Sequence, residues 1–281
     1  DYGEWKAIKV SGLTYGTNGF YLPFKQDYEV EGFSAVTYKG NGASSSHPKT
    51  QYIGGVGFQP DLVWMKSRSD ARAHTLVDSI RGVTKGLRSD TTAAEATSTA
   101  GYDFTSFETN GFTVGEPENW NSTNEDGTSI VAWNWKAGTA VSGTTTGSGD
   151  DTDYVGSINT DAGFSIIKYG GNDTTGHQVP HRLGVVPDAI FIKNLTTQSW
   201  NCWFPNTSMG GTKMIQLDNT GAASTQSWLN STMPTTSVVE LEAGAATNAS
   251  NDTTPPQQYI MYSWKSIDGY SKVGSYTGNG N

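Results

Sequence analysis

Apolar and polar residues alternate along several short segments of this chain, with the period of two that a half-buried β-strand requires. In residues 32–38 the alternation places Val36 and Tyr38 on one face. In residues 129–136 it places three large apolar side chains on one face, which are Val131, Trp133 and Trp135. We predict that both segments are strands and that these faces line cores.

Two further segments are apolar without alternation, which is the pattern of a central strand that is covered on both faces. They span residues 62–66 and 189–193, and each follows a Pro-Asp pair. Proline cannot donate a hydrogen bond to a β-ladder, so Pro60 and Pro187 should mark strand starts. Alternating strands combined with continuously apolar ones predict sandwiches of two sheets.

Three sequence blocks occur twice along the chain in the same order, which distinguishes a duplication from a chance match of short strings. The paired blocks are 32–38 with 163–169, 58–66 with 185–193, and 130–136 with 259–265. Residues 269–273 begin a further copy of the first block. We therefore interpret the chain as an internal duplication followed by a truncated third repeat.

The fold class that follows is all-β, with two tandem antiparallel β-sandwich modules and with N- and C-terminal extension strands. The predicted divisions are an N-terminal arm 1–31, a first module 32–138, a linker 139–162, a second module 163–268 and a truncated third-repeat strand 269–281. The linker is rich in Gly, Ser, Thr and Asp and has no apolar period, so we expect it to be flexible. Each module is large enough to bury a core and to fold as an independent unit. A short helix is compatible with residues 91–97.

Charge and composition narrow the classes of partner. The formal net charge is −9 at pH 7. Nucleic-acid binding needs clustered Lys and Arg, so we expect no nucleic-acid partner, and anionic membrane surfaces are disfavoured for the same reason. No segment approaches the roughly 20 apolar residues of a membrane span, so we predict no membrane insertion. The single cysteine, Cys202, excludes an internal disulfide, and its aromatic neighbours indicate a buried thiol.

The residues that could carry chemistry form no recognisable catalytic or metal motif. His177 and His181 have the i, i+4 spacing of a helical metal pair, but Pro180 and the β-strand context break that geometry. Neighbouring carboxylates are better explained as solvated loop charges than as a glycosidase pair or a calcium loop. These carboxylates are Glu116 with Glu118, Glu125 with Asp126, and residues 150–153. We predict that the protein is not an enzyme and has no catalytic residue, metal or cofactor.

Aromatic residues are more numerous than the predicted core strands require. An exposed aromatic side chain beside Asn residues is a common way to hold a sugar ring or a protein partner. We predict that Trp120 and Trp228, each within a string rich in Asn, Ser and Thr, are exposed ligand-binding residues. The alternative is that each one closes an end of its sandwich.

Two apolar segments, residues 20–24 and residues 270–277, lie outside the modules. Each needs a surface to cover it. We predict that they are extension or intersubunit strands, whose contacts come from Phe20, Tyr21, Phe24, Tyr270, Val273 and Tyr276. The C-terminal strand would add to a sheet edge of its own second module or to a neighbouring subunit. Deletion of residues 1–31 should therefore change the oligomeric state or lower the melting temperature.

Several strings resemble a repeat found in phage virion proteins. They are Tyr-Gly-Thr-Asn-Gly-Phe-Tyr-Leu-Pro-Phe at 15–24, Gly-Phe-Gln-Pro-Asp-Leu-Val-Trp-Met-Lys at 57–66, Asp-Ser-Ile-Arg-Gly at 78–82, Thr-Ala-Ala-Glu-Ala at 92–96, Val-Pro-His-Arg-Leu-Gly at 179–184 and Gly-Tyr-Ser-Lys-Val-Gly-Ser-Tyr-Thr-Gly-Asn-Gly at 269–280. From about Tyr15 onward, the chain is similar to the repeat domains of marine phage and cyanophage proteins that are tail-fibre-like or attached to the capsid.

This resemblance implies a virion structural protein that is displayed on the particle surface, and therefore extracellular. It implies either host adhesion as part of a tail fibre or decoration of the capsid, and it implies no enzymatic activity. The partners would be other copies of the chain, other virion proteins and a glycan or protein of the host surface. A polysaccharide-active tail depolymerase and a bacterial surface adhesin are the alternatives from other classes.

Overall fold

The computed structural model describes residues 31–42, 50–120, 123–225, 232–250 and 257–279. Within these ranges all regular secondary structure is β-strand, which confirms the predicted fold class. The short helix expected at 91–97 is wrong, because Ala96–Thr97 instead pair as a strand with Lys85–Gly86. None of the described residues forms a helix with the length and apolarity to cross a membrane.

The strands are short and follow one another closely. Those of the first half are β1 (Phe33–Lys39), β2 (Thr50–Gly54), β3 (Leu62–Ser67), β4 (Thr75–Asp78), β5 (Lys85–Gly86), β6 (Ala96–Thr97), β7 (Phe104–Glu108), β8 (Gly111–Gly115) and β9 (Ser129–Trp135). Those of the second half are β10 (Thr139–Thr144), β11 (Thr146–Gly147), β12 (Asp153–Asn159), β13 (Phe164–Gly170), β14 (His177–Pro180), β15 (Ala189–Asn194), β16 (Asn201–Trp203), β17 (Lys213–Gln216), β18 (Ser224–Thr225), β19 (Val238–Leu241) and β20 (Gln258–Trp264).

These strands form two large sheets and two smaller ones in the described part of the chain, besides the β5–β6 ribbon. The first large sheet has the order β1-β9-β3-β4, and the second has the order β10-β12-β13-β20-β15-β16-β17-β18. The smaller sheets have the orders β2-β8-β7 and β11-β14-β19. Neighbouring strands run antiparallel in each of them.

The sequence blocks that occur twice occupy equivalent places in the two large sheets. β9 lies between β1 and β3 in the first sheet, as β20 lies between β13 and β15 in the second. The register is also equivalent, since Trp135 is opposite Phe33 and Trp264 is opposite Phe164. Each repeated block therefore has one structural position that both halves of the chain share.

The sheets stack in four layers, and three apolar cores separate them within the described ranges. The first large sheet and β2-β8-β7 enclose one core, which includes Val63 and Phe112. The second large sheet and β11-β14-β19 enclose another, which includes Tyr169 and Val239. The remaining core lies between the two large sheets and takes residues from both halves, among them Leu62, Leu76, Ile166, Trp200 and Tyr262.

The alternation predicted for β9 is confirmed, but the face expected to line a core is the less buried of the two. Ile130 and Ala132 enter the core of the first half and are fully buried. The opposite face, where Trp135 contacts Trp264 with ring centroids 6.1 Å apart, turns toward the second large sheet. A period of two shows which residues share a face, but not which layer covers that face. The face concerned carries Val131, Trp133 and Trp135.

The predictions for β1 and β3 agree with the structure. Val36 and Tyr38 pack against the core of the first half, as predicted. β3 contributes Val63 and Met65 to that core and Leu62 to the core between the large sheets. β3 is therefore covered on both faces, which explains why its sequence is continuously apolar.

The flexible linker predicted at 139–162 is wrong, because most of this segment is strand. β10 pairs with β12, and β12 pairs with β13, so both extend the second large sheet. β10 is exposed along its length except for the partly buried Val141. An edge strand with a single partly buried residue has no apolar period, so its composition resembled that of a linker.

The repeated Pro-Asp pair fixes the start of one strand to the end of another. The backbone N–H of Asp61 donates to the carbonyl of Trp135 at 2.8 Å, and its carboxylate accepts from the Ala137 N–H at 2.9 Å. Asp188 makes the same two contacts in the second half, at 2.8 and 2.7 Å. The motif thus has a structural role at both positions.

Candidate binding sites

Trp120 is buried, so the prediction that its side chain is exposed is wrong. Its side chain is 2% exposed and belongs to the core of the first half, together with Val77 and Phe104. The indole lies directly against Gly86, where an added Cβ would be 2.3 Å from Cε2 of Trp120. Position 86 therefore needs glycine for the indole to reach the core.

A buried carboxylate explains why the chain turns Trp120 inward. Asp103, which has a left-handed φ of 50°, accepts hydrogen bonds from three consecutive backbone N–H groups. The donors are Glu118, Asn119 and Trp120, at 2.9, 2.9 and 3.1 Å. These bonds fix the turn, with Asn119 exposed and the indole inside. The polar residues beside Trp120 therefore indicated a surface turn but not the direction of its side chain.

A pocket of about 250 Å³ lies beside Trp120. It is lined by Ala71, Arg72, Ala73, Thr75, Arg88, Asn119 and Trp120. Arg88 is exposed and donates from Nη2 to the backbone oxygen of Asn119 at 3.2 Å. Arg72 is partly exposed and donates from Nη2 to Glu125 at 2.6 Å. Two guanidinium groups thus border the pocket, and none of its described lining residues is a carboxylate.

A buried ionic cluster joins the two halves of the chain. Asp78 accepts a bond from Nε of Arg81 at 2.5 Å and another from the hydroxyl of Tyr262 at 2.7 Å. The side chains of Asp78 and Arg81 are 0% and 1% exposed. Burial opposes the charge of Arg81, but Asp78, Tyr262 and Glu95 together raise its pKa above the ordinary value. These contacts belong to the Asp-Ser-Ile-Arg-Gly string, which therefore has a structural role.

Each half of the chain anchors its first repeated strand through a tyrosine hydroxyl. Tyr38 donates to the carbonyl of Thr123 at 2.5 Å, and Tyr169 donates to the carbonyl of Thr247 at 2.7 Å. In sequence, Tyr276 likewise lies two residues before a Gly-Asn pair. Its side chain is 95% exposed.

The predicted C-terminal strand is wrong in its secondary structure, because residues 272–279 form no strand. Ser271 makes an isolated bridge with Ile267, and the backbone N–H of Val273 donates to Ser266 at 3.0 Å. Tyr270 is partly buried, and this burial raises its pKa to about 12. An intersubunit role for this segment stays a prediction. Four predicted residues lie outside the described ranges: the contact residues Phe20, Tyr21 and Phe24, and the ligand-binding residue Trp228.

His177 and His181 are both fully buried and bonded to protein groups. Nδ1 of His177 is 2.7 Å from Oδ1 of Asn248, and Nε2 of His181 is 3.1 Å from the carbonyl of Thr235. Burial lowers the pKa of each imidazole despite these contacts. Across the described ranges, His, Cys, Asp and Glu form no group of three or more that could hold a metal.

Other reactive side chains are also held by structural contacts. Burial raises the pKa of the Cys202 thiol, which lies in the core between the large sheets. Lys193 is fully buried, and burial lowers its pKa to about 8. Its Nζ donates to the carbonyls of Asn194 and Thr197 at 2.8 and 2.9 Å.

One aromatic cluster was missed by the sequence analysis. Trp64 donates from Nε1 to Nδ1 of His74 at 2.8 Å and meets Trp133 edge to face, with ring centroids 6.2 Å apart. All three side chains are partly exposed. Trp64 lies in the continuously apolar strand and Trp133 in a predicted core face, so nothing in the sequence marked them as accessible. Only the register that places Trp64 opposite Trp133 brings them together.

Comparison with known families gives a match that covers almost the whole chain. A family model described as a domain of unknown function, DUF7483, matches residues 28–281. No curated protein and no solved structure matches the chain.

Proposed function

The chain therefore belongs to the DUF7483 family, a domain of unknown function, and we propose that it is a structural protein displayed on the surface of a phage particle. In this role it contacts other copies of itself and other virion proteins. As part of a tail fibre it would adhere to a glycan or protein of the host surface. Decoration of the capsid is the other form of the same proposal.

The observation that carries this proposal is the exposed third copy of the repeat. Tyr38 and Tyr169 of the first two copies donate to backbone carbonyls, whereas Tyr276 is 95% exposed. The flanking residues from Gly274 to Asn279 are also exposed and form no strand. An exposed extended segment can add to a sheet edge of another polypeptide through main-chain hydrogen bonds.

Two further properties support a surface position. The formal net charge of −9 would keep closely packed copies soluble through mutual repulsion. Several strings resemble those of phage virion proteins; among them, residues 57–66 contribute to β3, and residues 78–82 supply the buried Asp78–Arg81 pair of the stacked β architecture. Such a stack is a rigid support for surface contacts.

Localisation on purified particles tests the proposal. We would insert an epitope at the exposed turn formed by residues 148–151, which lies between β11 and β12, and image the labelled particles. Label at the tail in low copy number would support adhesion, and a regular coat over the head would support decoration. Absence of label from intact particles, with the protein present elsewhere in infected cells, would overturn both forms.

Polysaccharide depolymerisation is the alternative that a separate assay must exclude. The purified chain would be incubated with the capsular and cell-wall polysaccharides of the host. Chain length would then be followed by size-exclusion chromatography. We expect the length distribution to stay unchanged. Progressive shortening would replace the structural proposal with an enzymatic one.

A further inference from the structure

We propose that the outer edge of β10 pairs with β10 of a second copy of the chain, which gives a two-fold dimer with one continuous sheet. β10 (Thr139–Thr144) ends the second large sheet and has a described partner, β12, on one side only. The inference rests on the geometry of this edge and does not depend on the proposed function.

The backbone groups on the open side of β10 follow from its register with β12. The N–H of Thr145 donates to the carbonyl of Thr152 at 2.8 Å, one position beyond the end of the β10–β12 ladder. Backbone bonds in an antiparallel pair involve every second residue, so the odd-numbered residues of β10 bond to β12. The N–H and C=O groups of Ala140, Ser142 and Thr144 therefore point to the open side. Within the described ranges these three residues have no other hydrogen-bond partner.

β10 lacks the features that keep the edge of a sheet from pairing. Natural proteins protect such edges with charged residues, proline, bulges or very short strands. Residues 137–149 contain no charged residue and no proline, and six residues of β10 pair with β12 without a bulge. The other ends of the two large sheets differ, because β1 includes Lys39, β4 is bridged to Leu87 and β18 has two residues. Of these four ends, β10 is the best suited to accept another strand.

A second copy of β10 matches this edge in both hydrogen bonding and charge. If a two-fold axis places Ser142 opposite its own counterpart, Ala140 lies opposite the partner's Thr144. Every outward N–H and C=O group of both strands then has a partner, with about six inter-strand hydrogen bonds. The net charge of −9 makes copies repel each other, but residues 137–149 bring no charge to this contact.

Sedimentation velocity over a range of protein concentrations tests the dimer. One pair of strands is smaller than the roughly 1,200–2,000 Å² interface of stable complexes, so we expect a reversible equilibrium between monomer and dimer. Ser142→Pro removes an outward N–H from each copy and should raise the dissociation constant about ten-fold or more. Ser142→Ala is the matched control, because it keeps the N–H and should leave the constant unchanged. A chain that stays monomeric at millimolar concentration, or equal constants for the two variants, would overturn the proposal.

Disulfide cross-linking locates the contact and its register. The Cα atoms of a hydrogen-bonded antiparallel pair are about 5.5 Å apart, which is within the range of a disulfide. Ser142→Cys should therefore form a covalent dimer when oxidised glutathione accepts the two thiol hydrogens. Ala140→Cys is the matched control, because four strand positions, about 14 Å, separate the two copies of residue 140. The native thiol of Cys202 is buried, so the unchanged chain should form no cross-link.

The results that would overturn the proposal differ from those that bear on the location of the protein. Equal cross-linking of Ser142→Cys and Ala140→Cys, or dimers in which neither forms a disulfide, would place the interface elsewhere. Association beyond the dimer would assign the edge to an unlike segment of a neighbouring chain, since a two-fold pair of edges closes on itself.

Discussion

At the residue scale, the ion pair between Asp78 and Arg81 should be among the most sensitive positions. Arg81→Met would leave the Asp78 carboxylate buried without its guanidinium partner and should lower the free energy of unfolding by about 3–5 kcal/mol. Tyr262→Phe removes only the hydroxyl that donates to Asp78, and a hydrogen bond to a charged group contributes about 1.5–3 kcal/mol. Urea unfolding of each variant measures these losses.

Tyr52→Phe is the matched control for the tyrosine change. Its hydroxyl also donates a hydrogen bond, to Asn110 at 3.1 Å, but the side chain is 56% exposed. Water replaces an exposed bond, so we expect a loss below about 0.5 kcal/mol. If Tyr262→Phe costs no more than Tyr52→Phe, the buried cluster does not contribute to the contact between the two halves.

The buried imidazoles make stability depend on pH. Burial lowers the pKa values of His177 and His181 from 6.5, so below that pH the unfolded chain binds protons that the folded chain does not. Their contribution is fully present above pH 6.5 and is lost as the pH falls from there toward the lower folded values. We expect urea midpoints to decrease between pH 7.5 and 5.5. The decrease should be smaller in His177→Gln, and an unchanged pH dependence in that variant would contradict the assignment.

At the element scale, β10 and β12 differ most from their sequence-based interpretation. β12 has a hydrogen-bonded neighbour on each side, whereas β10 has a described partner on one side only. We expect hydrogen exchange to protect the amides of Asp153–Asn159 about as well as those of β13, with weaker protection in Thr139–Thr144. Uniformly fast exchange through residues 139–159 would contradict this prediction and support the interpretation of the segment as a flexible linker.

The strands that could be predicted are those whose pattern of apolar residues reflects which of their faces are buried. β3 is apolar throughout because layers cover both of its faces, and β1 alternates because one face is covered. β10 shows no such pattern, since Val141 is its one partly buried residue. The burial of Trp120 could not be predicted from the sequence. Its neighbours are polar because the turn is exposed, but the Asp103 carboxylate that directs the indole inward is distant in sequence. The pocket residues come from three separate segments, so no local pattern could group them.

At the scale of the whole molecule, the core between the large sheets revises the expectation that each module folds as an independent unit. Leu62 and Leu76 from the first half pack in one cluster with Ile166, Trp200 and Tyr262 from the second. If the halves separated, these side chains would be exposed to water. This exposure would cost a free energy of roughly 25 cal/mol for each Å² of apolar surface. The halves should therefore stabilise each other.

Calorimetry tests this mutual stabilisation. We expect one thermal transition, whose calorimetric enthalpy equals the van't Hoff enthalpy, because unfolding of either half removes the surface against which the other packs. Ile166→Ala, in the core between the large sheets, should lower the free energy of unfolding by about 2–5 kcal/mol and keep the single transition. Val239→Ala, in the core of the second half alone, is the comparison, since both changes should destabilise the same cooperative unit. Two separate transitions, with Val239→Ala shifting only one of them, would show that the modules unfold independently despite the core between them.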